Sequence, residues 1–168
     1  MHPGVSRAQA SPTSAVLSKS QGAGASRKVP IGNLHHVGVL VRDVARSAEL
    51  YVRREGYVIR SPIVHDITQT AYVQFLALPG DSVFLELVAP DGEHSKLASA
   101  LSKGGGLNHL CYAVDDIELG CGELRSRGMH LLQEPVPAAA FPGRKIAWLI
   151  GRDRIPVELV ERGDGFAP

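Results

Sequence analysis

The chain has 168 residues, 44% of them hydrophobic and 21% charged, with a net charge of +1. That suits one domain with a real core and leaves no electrostatic case for nucleic acid or an anionic membrane as partner. No apolar run approaches the roughly 20 residues of a membrane helix, and Cys111 and Cys121, without CxxC spacing, read as two reduced thiols, so a cytoplasmic location is expected.

Residues 1–30 are rich in Ser, Ala, Gly and Pro, and the first acidic residue of the chain is Asp43. Such a segment buries too little apolar surface to offset its ordering entropy and reads as a disordered tail. A basic, acid-free leader also suits an organelle transit peptide, which would place the protein in an organelle matrix instead. One folded domain is expected over 31–162, followed by a tail at 163–168.

The first unit, 34–90, opens with Leu34 to Val41, apolar and β-branched at nearly every position, as in a strand covered on both faces. Asp43 is placed to cap a helix that runs to about Glu55 and stops at Gly56. Three strands are expected next: Tyr57 to Arg60 continuing toward Val64, Ala71 to Leu78, and Ser82 to Val88, the last two joined through Pro79-Gly80-Asp81. A linker, 91–106, carries a short helix from Ser95 to Ser102 and ends in Lys103-Gly104-Gly105-Gly106.

The second unit, 107–161, repeats the order. A strand at 107–114 leads to a cap at Asp115 or Asp116, a helix to about Arg127 and a stop at Gly128. Strands follow at Met129 to Gln133, Arg144 to Ile150 and Ile155 to Glu161, while Pro135 to Gly143, with three prolines, is unsuited to a central strand. The repeat is visible in the residues themselves. Leu34-His35-His36 aligns with Leu107-Asn108-His109, and Asp43 with Asp116, at an offset of 73; Glu86-Leu87-Val88 aligns with Glu158-Leu159-Val160 at 72. Each unit is βαβββ, which makes the fold class α+β.

Each copy therefore contributes one His near its start and one Glu near its end. Strand alternation puts His36 on the face of Leu34, His109 on that of Leu107, Glu86 with Phe84 and Val88, and Glu158 with Pro156 and Val160. A carboxylate among apolar neighbours is unfavourable unless paired or bound to metal. The four residues suit one divalent ion of intermediate hardness (Co, Ni, Mn, Fe or Zn) with positions left for water or substrate. The competing reading makes the histidines ordinary core residues and pairs the glutamates with Arg144, Lys145 or Arg154.

The chain resembles the vicinal oxygen chelate superfamily, the glyoxalase and bleomycin-resistance fold, from about Leu34 to Glu161. Within it the chain is most similar to the methylmalonyl-CoA epimerase family, through Ser95-Lys96-Leu97-Ala98, the run Lys103 to His109, and Val114-Asp115-Asp116-Ile117. The resemblance implies two tandem βαβββ modules forming a cupped mixed sheet around a metal held by His36, Glu86, His109 and Glu158. It also implies α-proton abstraction from an acyl thioester, with the metal supporting the carbonyl oxygen and Glu158, then Glu86, as candidate bases. Some members add a carboxylate on the third strand, where Tyr72-Val73-Gln74 has none. Gln69, Arg144 and Lys145 are candidate substrate contacts at the mouth, His35, His65, His94 and His130 are read as surface or supporting residues, and a homodimer is compatible with the family. The alternatives are a glyoxalase I-like lactoylglutathione lyase, with the same ligand types, and a ligand-sequestering resistance protein, which would need none of the four.

Overall fold

The computed structural model describes residues 31–163, so the expectations for 1–30 and for the end of the C-terminal tail lie outside the described residues. The first module comprises β1 (Asn33–Leu40), α1 (Val44–Glu55), β2 (Val58–Ile59), β3 (Val64–Asp66), β4 (Ala71–Ala77) and β5 (Phe84–Pro90). After α2 (Ala98–Ser102), the second comprises β6 (Gly106–Val114), α3 (Ile117–Ser126), β7 (His130–Pro137), β8 (Lys145–Ile150) and β9 (Pro156–Glu161). All strands belong to one sheet of order β2-β4-β5-β1-β6-β9-β8-β7, with β3 also on β4.

The two modules meet at its centre. β1 and β6 pair antiparallel, and each has its own module's last strand, β5 or β9, as a parallel neighbour on its other side. Both helices are capped as the sequence predicts: Asp43 accepts from the Arg46 N–H and Asp116 from the Leu119 N–H, each at 2.9 Å. Gly56 closes α1 in the left-handed region at φ 78°. The helices cover one face of the sheet. Val44 and Ala48 of α1 pack on Leu76, Leu85 and Leu87, while Ile117, Cys121 and Leu124 of α3 pack on Ala147, Leu149 and Leu159. The opposite face forms a cup whose apolar lining includes Ala71, Val73, Phe75, Val88, Cys111, Ile146 and Val160.

Three expectations change. The strand expected from Tyr57 toward Val64 is broken into β2 and β3, because Pro62 has no N–H to donate. Across the break the Ser61 hydroxyl takes the place of a backbone acceptor, receiving the Phe75 N–H at 2.9 Å. The linker helix is shorter, Ala98–Ser102, because Ser95 is used otherwise: its hydroxyl donates to the Thr70 carbonyl at 2.7 Å and accepts the Leu97 N–H. β7 runs on to Pro137, and its prolines are tolerated because it is an edge strand with shifted register against β8.

Simple alternation also fails on the central pair. The β1–β6 register shifts between Leu34 and His36 and again between Gly38 and Val39. The bulge buries His35 as well as His36, and it leaves Leu107 56% exposed although His109 is buried. Leu34 and Leu107 therefore do not mark the face of the histidines, whereas the assignments of Glu86 and Glu158 to the cup hold on the regular strands β5 and β9.

Candidate metal centre

Four side chains from four strands converge at the floor of the cup. His36 Nε2 lies 3.0 Å from His109 Nε2, 3.0 Å from Glu158 Oε2 and 3.4 Å from Glu86 Oε2. His109 Nε2 lies 3.1 Å from Glu86 Oε2 and 3.4 Å from Glu158 Oε2. All four residues are buried, and the carboxylates face the imidazoles instead of Arg144, Lys145 or Arg154.

The surroundings repeat with the sequence. Phe75 lies beside Glu86 on β4 and sets its ring edge-on to His36, with centroids 5.2 Å apart. Its counterpart Trp148 lies beside Glu158 on β8 and does the same to His109 at 4.8 Å. Gly38 is required by this packing: it faces His109 across the β1–β6 pair, and a Cβ there would collide with the imidazole ring. The corresponding position opposite His36 holds Cys111, also fully buried.

Burial alone would push His36 down, yet Glu86 and Glu158 outweigh it and hold the imidazole above the usual histidine value. The same opposition, burial against the two carboxylates, lifts His109 to about 9. Burial works to raise Glu86 and Glu158, but the two imidazoles hold both below the usual carboxylate range. Burial and then neighbouring His36 push His35 down to about 4, so that ring is neutral at physiological pH.

The donor set fits a divalent ion. For metal–ligand bonds of about 2.1 Å, neighbouring donors stand roughly 3.0 Å apart at right angles and about 3.4 Å apart at the tetrahedral angle, which is the range of separations seen here. Glu86 Oε2 is buried and, although 3.1 Å from an imidazole nitrogen, makes no well-aligned hydrogen bond. A cation held by His36, His109 and Glu158, whose donor atoms lie within 4.8 Å of one another, would also give Glu86 Oε2 a partner. Nitrogen and oxygen donors without thiolate also suit an open catalytic site better than a closed structural one.

Above the centre the cup opens into a cavity of about 320 Å³, its lower wall made by His109, Glu86 and Glu158 and its mouth by Gln69, Gln133 and Lys96. The Gln69 amide donates to the Gln133 carbonyl oxygen at 3.1 Å, tying the two modules together across the mouth. Gln69 thus stands where the sequence suggests. Arg144 and Lys145 do not line this cavity: Arg144 donates to the Gly163 carbonyl and lies over the Phe141 ring, and the Lys145 ammonium lies 3.4 Å from Glu118. Arg144 immediately precedes β8 and Lys145 opens it. His65 is partly exposed and paired with Asp91, and His94 and His130 are exposed, as expected. His35 takes the supporting alternative: it is buried and packs on His36.

A sheet of paired βαβββ modules with two His and two Glu at its centre defines the class. Residues 35–148 match the Glyoxalase/Bleomycin resistance protein/Dioxygenase superfamily, and the chain belongs to that family. Over 128 residues it is 32% identical to the ethylmalonyl-CoA/methylmalonyl-CoA epimerase of Cereibacter sphaeroides, covering 73% of this chain and 91% of the relative. It is 27% identical to the mitochondrial methylmalonyl-CoA epimerase of Dictyostelium discoideum, covering 80% and 81%. The crystal structure of methylmalonyl-CoA epimerase from Mycobacterium tuberculosis superposes with a TM-score of 0.71 at 28% identity, covering 82% of this chain and 94% of that one.

Proposed function

We propose that the protein is a metal-dependent epimerase of an acyl thioester carrying an acidic α-hydrogen, of the methylmalonyl-CoA type. The observation that carries this reading is a pair of buried glutamates, one from each module, at the floor of a cup shaped for a small acyl group. The relatives named above act on methylmalonyl-CoA and, in one case, ethylmalonyl-CoA.

His36, Glu86, His109 and Glu158 would hold the ion, with Co, Ni, Mn, Fe and Zn all matching the donor set. A divalent ion at this position supplies Lewis acidity toward a carbonyl oxygen, which lowers the demand on a protein base. Glu158, with Glu86 as the second candidate, would take the α-proton on its carboxylate after loosening from the ion. Solvent, which exchanges with the carboxyl proton, would supply the proton returned to the other face to invert the centre. The apolar walls, Val73, Val88 and Ile146 among them, exclude water and limit the acyl branch. The Gln69–Gln133 bridge borders the path taken by the thioester chain. No described helix is long and apolar enough to cross a membrane, and the buried reduced thiols Cys111 and Cys121 support an intracellular aqueous compartment, cytoplasm or organelle matrix.

The test is solvent exchange. Methylmalonyl-CoA incubated with enzyme and Co(II) in deuterated water should gain deuterium at C2 faster than the enzyme-free control, and Glu158→Gln should remove most of that gain. No exchange, together with conversion of the hemithioacetal of glutathione and methylglyoxal, would favour the glyoxalase reading. Neither reaction with metal bound would leave a binding protein.

A further inference from the structure

The residues immediately before the two histidines of the centre are themselves related by the 73-residue repeat: His35 precedes His36, and Asn108 precedes His109. In the structure both touch the same atom of their neighbour. Asn108 Oδ1 lies 2.8 Å from His109 Nδ1, and His35 Nδ1 lies 2.8 Å from His36 Nδ1.

A neutral imidazole carries its proton on one nitrogen and a lone pair on the other, so a partner at Nδ1 decides what Nε2 presents. Asn108 Oδ1 accepts, which holds one His109 proton on Nδ1, so that once the Nε2 proton is displaced the Nε2 lone pair is left facing the space among Glu86, Glu158 and His36. Of the two Nδ1 atoms that face each other at 2.8 Å, one must donate, and a His36 Nδ1–H donating to His35 Nδ1 is the choice that matches Asn108 and His109 in the other module. His35 is held in that pose between Phe84 and Phe141, with ring centroids at 5.6 and 5.3 Å. Its own Nε2 is buried without a partner, a strained arrangement for a group with no task.

We propose that His35 and Asn108 are paired positioning residues: each accepts the Nδ1 proton of the following histidine and so presents that histidine's Nε2 lone pair to a divalent ion. The two modules solve one problem with two chemistries, an imidazole and a carboxamide. The inference rests on the metal reading of the site but not on the identity of the substrate.

Because the positions are equivalent by the repeat, the module-two solution can be transplanted. Divalent-ion affinity is measured with Co(II) against a competing chelator for wild type, His35→Leu, His35→Asn and Asn108→Leu, together with the melting temperature of each metal-free protein. Ring-nitrogen spectra of the Zn(II)-loaded forms report where the imidazole proton sits. Each Leu variant is expected to lose about 10- to 100-fold in affinity, and His35→Asn to recover to within a few-fold of wild type with the His36 proton on Nδ1. The inference is overturned if His35→Leu binds Co(II) as tightly as wild type, or if folded His35→Asn is as weak as His35→Leu. Wild type that binds no divalent ion overturns the metal reading and this inference together. Intact positioning without methylmalonyl-CoA exchange overturns only the substrate assignment.

Discussion

At the scale of single residues, the proposed metal centre divides into atoms that would bind the ion and atoms that leave room for them. His109→Ala removes one of four donors and leaves Glu86 Oε2 with only His36 for company, so bound metal should fall well below one ion per chain in elemental analysis. Gly38→Ala should do comparable damage without touching a donor, because its methyl group would occupy the space of the His109 ring. We expect both variants to lower the melting temperature as well as the metal content, Gly38→Ala by collision with the ring and His109→Ala by leaving two buried carboxylates with one imidazole. The four residues of the proposed centre were legible in the sequence because each type, His and Glu, occurs twice at nearly one offset. Asn108, Phe75 and Trp148 were not, since a supporting residue need keep only its place and not its type. The 73-residue offset that pairs His35 with Asn108 and Phe75 with Trp148 was nevertheless the signal that could have found them.

At the scale of elements, helices were easier to place than strands. Asp43 and Asp116 announce α1 and α3 by a local chemistry that needs no tertiary information, and both caps form as expected. Replacing either by Ala should lower stability by about 1 kcal/mol in a denaturant titration, with solvent exchange of substrate largely unchanged. The strands depend on partners distant in the sequence. Nothing local shows that β1 and β6 pair with two register shifts, so alternation set Leu34 and Leu107 on the wrong footing while serving well on β5 and β9. Arg144 and Lys145 were misplaced for a related reason. A basic pair at the start of a strand gives no hint that Arg144 will lie over the Phe141 ring and Lys145 beside Glu118, both off the cavity lining.

For the whole molecule, the buried imidazole–carboxylate cluster links protonation to stability. In metal-free protein His109 titrates near 9 against 6.5 for an ordinary histidine, so its contribution is complete below 6.5 and disappears as pH rises through 9. Glu86 and Glu158 titrate below their ordinary 4.5, and their contribution is present above that value and disappears as pH falls beneath it. The melting temperature of the metal-free protein should therefore be highest between these limits and fall on both sides, as a pH series of thermal melts would show. Metal must displace the imidazole protons, so its affinity should rise with pH over the same alkaline range.

The placement of one donor on each of β1, β5, β6 and β9 also sets an order of events in time. Contacts so distant along the chain form only after much of the sheet has assembled, because loop closure must precede them. On the proposed metal reading the ion would not seed folding; it would enter a finished cup. Refolding in stopped-flow should therefore proceed at the same rate with and without chelator, while unfolding slows in proportion to the metal bound, since stabilisation that arrives after the transition state appears in the unfolding rate alone.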